Sequence, residues 1–485
     1  MPLAQARSRS ATRFLSLSVL STPLAAAPLL VGNGVEHAPA LAAGINSAPV
    51  ATSGVAAPAP TWSRTYGGVV SEQGLHALRQ LPNGRLVAAG YTASFGGPSQ
   101  FSWLLGLDLS SGDVQVERAS SSALGGYTDG AGIAADGGAL FLGRDVLDIQ
   151  TKHDAWLQRV DASGQVLWSV GFTRPGTGRH FLFDAAELPD GSWIAVGATG
   201  VLDFPPQAAW VVRLSASGAL LWQSEYGAGV ADTARAVAPC ADGGFALVGA
   251  TNSSGAGDDD LWAMKLDASG AIEWQRTFGG GGADRGEDIV ELDDGSLAIV
   301  GATDSFTASG HAPWVLRLGA NGALLWHRIV DGGVWGDLEG VARANDGQIV
   351  VVGRVAEPGF PTNDLWCAKL AASNGRVLWQ RAYDGGLGDF GSVVLPLVGP
   401  GANTDYVVGG VWGFGFPSES VWLSRTDRLG GLGGCGGERT TNLPVVRPSI
   451  AVAAGLAVRE VGEPQLEQPG AQEAASSATV IDMCQ

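Results

Sequence analysis

The sequence predicts an all-β fold: a seven-bladed β-propeller of four-stranded antiparallel blades, its ring closed by an N-terminal strand in the last blade. Three observations predict it. Trp103, Trp156, Trp210, Trp262, Trp314, Trp366 and Trp422 recur at intervals of 53, 54, 52, 52, 52 and 56 residues, and such a period marks units that cannot bury their apolar faces alone. Each tryptophan lies in a segment that reads as four short strands joined by turns. The last segment lacks its fourth strand, and a solitary fourth-strand sequence, Thr61–Gly68, stands near the start of the chain.

The N-terminus reads as a secretory signal over residues 1–42. Arg7, Arg9 and Arg13 precede an apolar run, and small residues suited to cleavage follow at Ala25–Ala27 and Ala40–Ala42. Pro23 and Pro28 interrupt the run, so no membrane span is expected. Residues 43–60, rich in Ala, Pro and Ser, read as a flexible leader. The propeller occupies 61–427, a Gly-rich linker 428–437, and a mostly disordered tail 438–485, with a strand expected near Ile450–Val458.

The unit is clearest at Asp232–Phe278. Asp242-Gly243-Gly244 is a hairpin signal between two alternating runs, and Ala268-Ser269-Gly270 is a second. In the third strand Trp262, Met264 and Leu266 share one face. A strand glycine recurs seven residues beyond the first turn, at Gly90, Gly143, Gly197, Gly249, Gly301 and Gly353, with Gly409 assigned to the last unit. Glycine weakens a strand, so its recurrence signals close approach by a backbone or a ring, and a tryptophan of the adjacent unit is the expected neighbour. A second tryptophan marks the fourth strand at Trp168, Trp222, Trp274, Trp326 and Trp379. Trp62 supplies it for the seventh unit, which is the argument for closure.

The net charge of −18 and pI near 4.7 exclude nucleic acid and anionic membrane as natural partners. Cys240 and Cys367 fall inside blades and read as buried thiols. Cys435 and Cys484 bracket the tail and are a disulfide candidate in an oxidising compartment.

The unit W-x-x-K-L-D-x-x-G-x-x-x-W, carried by Trp262–Trp274 and six looser copies, resembles the blades of PQQ-like and related secreted bacterial β-propeller repeat proteins. The resemblance covers about three-quarters of the chain and implies the fold and a secreted location. Quinoprotein dehydrogenases share the tryptophan-docked blade. This chain departs from them in having no vicinal Cys-Cys pair, no alignable calcium–quinone ligand set and seven blades where eight are usual, so the resemblance does not carry PQQ chemistry to it.

Two loop classes are candidate sites. The inter-blade loops carry Glu72, Asp232, Asp284, Asp337 and Asp389, with His180 in the third unit; an acidic ring there would attract a cation or a basic ligand. The competing reading pairs these acids with cations repeated in the third strand, Arg159, Arg213, Lys265, Arg317, Lys369 and Arg425. In a second loop class, Asp258, Asp259 and Asp260 are weak metal candidates for calcium, against a reading as a solvated acidic loop. No cofactor is required, and calcium is possible. The histidines, His76 and His180 among them, show no metal-ligand spacing, and no nucleophile-elbow, Walker or dinucleotide motif occurs. His180 with Asp184 is the first place to seek an active site.

The first functional reading is therefore a secreted, monomeric binding or scaffold module without its own catalysis, taking a protein or glycan ligand on the acidic face. The alternative is an exported propeller enzyme, a glycan hydrolase or lyase, with a PQQ-dependent dehydrogenase the weakest of these. The two differ in a visible way. An enzyme breaks its repeat symmetry at a few clustered positions, giving one polar pocket with shifted carboxylate pKa values. A scaffold spreads its departures along a rim.

Overall fold

A computed structural model describes residues 60–433, apart from 68–72, 95–99, 122–125, 145–154, 174–178, 202–203, 228–230, 308–309, 331–334, 357–362, 386–387, 399–404 and 414–418, together with seven short strands between 438 and 482. The described residues contain strands and no helix. Alternating apolar runs between Asp-Gly turns form seven antiparallel sheets, each of four consecutive strands in blades 1 to 6. At the first turns of blades 1 to 6 the glycine takes a left-handed backbone, as at Gly243 with φ 88°.

Blade 7 is built as expected. Phe390–Pro396, Tyr406–Trp412 and Ser420–Thr426 are its first three strands, and Trp62–Gly67 pairs with Ser420–Thr426 as the fourth. Trp62 then donates its indole N–H to the Leu109 carbonyl of blade 1 at 3.0 Å. Trp168, Trp274 and Trp326 bond the next blade's turn in the same way. The seam between the ends of the chain is thus stitched like the other inter-blade seams.

There is no single core. Seven apolar clusters of buried residues each lie between two neighbouring blades. Trp262, for example, packs with Ile194, Val196 and Phe245 between blades 3 and 4. Cys240 and Cys367 are free and buried in two of these clusters.

Three details depart from the sequence reading. The strand glycines face backbone more than an adjacent tryptophan: a Cβ on Gly249 or Gly301 would lie 2.0 Å from the carbonyl oxygen of Thr233 or Arg285 in the innermost strand of the same blade. The adjacent tryptophan abuts the second-turn glycines instead, as Trp222 does Gly270 and Trp274 does Gly322. In blade 7 the matching strand glycine is Gly410, opposite Gly391, and not Gly409.

The third departure is the tail. Composition suggested a mostly disordered segment, yet it carries seven strands of two to four residues, each antiparallel to the outermost strand of a blade. They visit the blades in reverse order. Glu438–Thr440 adds to blade 6, Val445–Val446 to blade 5, Ala451–Ala453 to blade 4 and Val458–Arg459 to blade 3. Gln465–Glu467 adds to blade 2, Gln472–Ala474 to blade 1, and Thr479–Asp482 ends the circuit on blade 7. Cys435 and Cys484 lie outside the described residues, as do residues 1–59.

Candidate active site

Each innermost strand contains one β-bulge, opposite or next to the strand glycine. The register slips between Leu75 and Ala77, Thr128 and Gly130, Leu182 and Asp184, and Ala234 and Ala236. It slips again between Gly286 and Asp288, Leu338 and Gly340, and Gly391 and Val393. The unpaired residues are His76, Asp129, Phe183, Arg235, Glu287, Glu339 and Ser392. A bulge re-aims its extra residue, and here all seven line one cavity of about 420 Å³ in the central channel. All seven are half-buried. The glycine is what permits this, because a side chain in its place would occupy the carbonyl that the bulge pushes forward.

The repeat therefore delivers seven equivalent positions to one place and fills them with six residue types. Arg235 Nε lies 4.0 Å from Glu287 Oε2, and Arg144 reaches Asp129 at 3.4 Å. Asp184 and Asp288, one residue beyond a bulge, accept the amides of Val237 and Val341 in the next blade at 2.9 and 2.8 Å. These two carboxylates bind blade to blade while facing the channel.

Burial shifts the acids strongly. It pushes Glu339 up to about 8, helped by the negative charges of Glu287 and Asp337. Burial also raises Glu287, against the opposing pull of Arg235 and Arg285. It raises Asp129 and Asp184 to about 6 and Asp288 to about 7, and lowers His76 to about 4. At neutral pH Glu339 holds a proton beside a second acidic group, and His76 is an uncharged imidazole. Proton donor and acceptor thus stand in one channel.

Above them, on the face of the inter-blade loops, Asp337 accepts two bonds from Arg354 at 2.9 and 2.7 Å. His311 Nε2 lies 3.6 Å from Asp337, and its Nδ1 lies 2.8 Å from Asp304. Burial acts upward on Asp337, but His311 and Arg354 outweigh it and hold the carboxyl below its usual range. Asp337 in turn raises His311 against the downward pull of burial, with Asp304 adding to the effect.

The sequence-derived acids are not brought together in the channel. Asp232 is buried and accepts hydrogen bonds from the hydroxyls of Thr251 and Ser253. Asp284 accepts from Thr303, from Ser305 at 2.6 Å and from the Gly280 amide at 2.8 Å. Asp389 takes the amides of Gly385 and Gly413 at 2.7 and 3.1 Å. His180 stands at the matching register of blade 3, buried against Trp210. Glu72 lies outside the described residues. Asp337 is one register position further in, opposite Arg354. The third-strand cations pair elsewhere, with first-turn acids of their own blade: Lys265 with Asp242 at 2.8 Å, Arg159 with Asp136 at 2.7 Å.

Asp258, Asp259 and Asp260 do not converge. Asp258 is exposed, whereas Asp260 is buried and accepts the Ala256 amide at 2.6 Å. Among the described residues no group of three or more His, Cys, Asp or Glu side chains is placed to hold a metal ion. No helix among them is long and apolar enough to cross a membrane.

No family model matches the chain, and no curated protein matches it. Solved structures of other proteins align with it at low identity. The alpha-L-arabinanase of Penicillium chrysogenum, complexed with arabinobiose, is 13% identical with a TM-score of 0.39, covering 76% of this chain and 98% of that one. Polysaccharide lyase Uly1 is 10% identical with a TM-score of 0.42, over 75% and 90%. Rhamnogalacturonan lyase YesW is 13% identical with a TM-score of 0.32, over 76% and 73%.

The first functional reading, a binding or scaffold module without catalysis, is corrected. The departures from repeat symmetry do not spread along a rim. They converge on one polar channel whose carboxylates are shifted together, the arrangement set out above for an enzyme.

The sequence reading missed His76, Asp129, Arg235, Glu287 and Glu339. A signal was present: the bulge residue stands fourteen positions ahead of the strand glycine, as 287 does of 301 and 76 of 90. It went unread because a conventional two-residue alternation has no place for a bulge.

Proposed function

We propose that the chain is an exported glycan hydrolase working in the central channel of its propeller. The observation that supports this most is the set of seven bulge residues, which differ from blade to blade and meet in one cavity. Glycosidic cleavage needs a protonated acid for the leaving oxygen and a second carboxylate as base or nucleophile. Glu339, protonated at neutral pH, takes the first role. Glu287 is the second group, and Arg235 at 4.0 Å favours its ionised form when Glu339 keeps the shared proton. The proton passes from Glu339 to the glycosidic oxygen, the bond to the anomeric carbon breaks, and water delivers hydroxide equivalent to that carbon as its proton moves to the carboxylates.

Charge selects between hydrolase and lyase. With Glu339 protonated, Asp129, Asp184 and Glu287 still face the channel against Arg235 as its lining cation, so a polyuronate would enter against like charge. Neutral sugar chains suit the site better. The test is reducing-sugar release from arabinan, galactan, xylan and mannan, with polygalacturonate as the anionic comparison. Wild type should cleave a neutral chain, and Glu339→Gln should lose about a thousandfold in rate with an unchanged melting temperature. No release from any of them, or full activity in Glu339→Gln, would sink the proposal.

A further inference from the structure

Among the described residues, two aromatic side chains are left exposed, Tyr127 and Trp335, each 41% accessible. Both are the first residues of innermost strands, and both lead into bulge residues: Trp335 four positions ahead of Glu339, Tyr127 two ahead of Asp129. The other tryptophans named above are docked between blades or on turns. Packing therefore does not explain the exposure of Trp335.

What surrounds Trp335 is specific. His311 stacks near it with ring centres 5.2 Å apart and planes at 31°, and the Arg354 guanidinium sits 5.0 Å from its centroid. Asp304 and Asp337 fix His311, and Asp337 fixes Arg354. The result is an indole held rigid and bordered by planar donors and acceptors. A neutral pyranose offers the complement: an apolar C–H face for the ring and hydroxyls at its rim for the polar border. The cluster adjoins the channel along one strand: Trp335, Asp337 and the channel-lining Glu339 follow one another in Trp335–Arg343, and Arg354 pairs with Asp337 between them.

We propose that Trp335 is the stacking platform for a sugar unit next to the cleavage point, which makes the substrate a chain of several neutral sugars and not a single glycoside. This rests on the hydrolase reading of the channel. Tyr127 in blade 2, with the Arg144 guanidinium 5.3 Å from its ring, stands at the register that Asp337 holds in blade 6.

The test uses the full exported chain with Glu339→Gln, so that glycan is bound and not consumed. Affinity electrophoresis in gels containing arabinan, galactan, xylan or mannan should show it retarded by one of them. Adding Trp335→Ala should weaken that retardation about thirtyfold, the usual loss for a central tryptophan anchor, and Trp335→Phe should restore part of it. On the active background, Trp335→Ala should raise KM for the same polysaccharide far more than it lowers kcat, with the pH profile of kcat unmoved. A role confined to holding Arg354 and Asp337 would move that pH profile instead. Equal retardation with and without Trp335→Ala overturns the platform and leaves the hydrolase reading standing. No retardation of Glu339→Gln by any of the four, with no cleavage by wild type, overturns both.

Discussion

Gly301→Ala is the sharpest perturbation of the link between the repeat and its channel. A Cβ at this position would stand 2.0 Å from the Arg285 carbonyl oxygen and 3.0 Å from Gly286 Cα. Ordinary contact begins at 3.4 Å, so the overlap is 3.4 − 2.0 = 1.4 Å. The obstacle is backbone, and no side-chain rotation relieves it. The innermost strand must retreat, which costs about 1–3 kcal/mol in overpacking and one or two ladder hydrogen bonds of about 1 kcal/mol each. A loss of about 3–4 kcal/mol follows. At about 2.1 cal/mol/K per residue over the ring, it lowers Tm by about 4–5 °C. Gly243→Ala is the control: φ is 88° with nothing within 4 Å of its Cβ, so it costs only the left-handed backbone, about 1–2 kcal/mol. Calorimetry of both variants compares the two costs, and kcat measured well below Tm reports the displacement of Glu287. If Gly301→Ala melted no lower than Gly243→Ala and kept full kcat, the bulge would not depend on the glycine and the argument would be wrong.

Four further outcomes are expected. Glu287→Gln removes a negative charge that helps hold Glu339 protonated, so the basic limb of kcat should move down from about 8 by about one pH unit; a limb that stays put would separate the two groups. Glu339, Asp288 and Asp389, raised to about 8, 7 and 7, keep protons in the folded chain that the unfolded chain releases near pH 4. Their contribution is therefore full at low pH and lost as pH rises to about 8, so Tm should fall across that window, and Asp288→Asn should flatten the fall; a rising Tm would contradict the burial of these acids. Ending the chain at residue 437 should lower Tm and promote aggregation by baring seven sheet edges. Peptide mapping of the intact, non-reduced protein should meanwhile find Cys435 joined to Cys484, a result that a labelled free thiol at either would refute.

The architecture was legible because its signals are local and repeated. The Asp-Gly turns, the third-strand tryptophan and the displaced Trp62 strand each state a constraint that any reader can align. The tail was illegible for the opposite reason. Strands as short as Val445–Val446 and Val458–Arg459 have no room for a period, and they pair only because seven fourth strands offer free edges. The inter-blade acids misdirected the search through their very regularity. Asp232 and Asp284 repeat because each satisfies the same hydroxyls, of Thr251 and Ser253 in one blade and of Thr303 and Ser305 in the next.

That contrast locates function in such a ring. Positions that recur unchanged are those whose partners also recur, and a side chain bound to a repeated partner is not free to do chemistry. The bulge residue has no ladder partner in its own sheet, so packing demands nothing of its type. Seven glycines buy seven such positions, and rotational arrangement brings them within one cavity. Histidine, aspartate, phenylalanine, arginine, two glutamates and serine can then be chosen for one another. Glu339 shows that they were: burial keeps its proton on, and Glu287 at the same position one blade earlier reinforces it, a relation no single repeat contains.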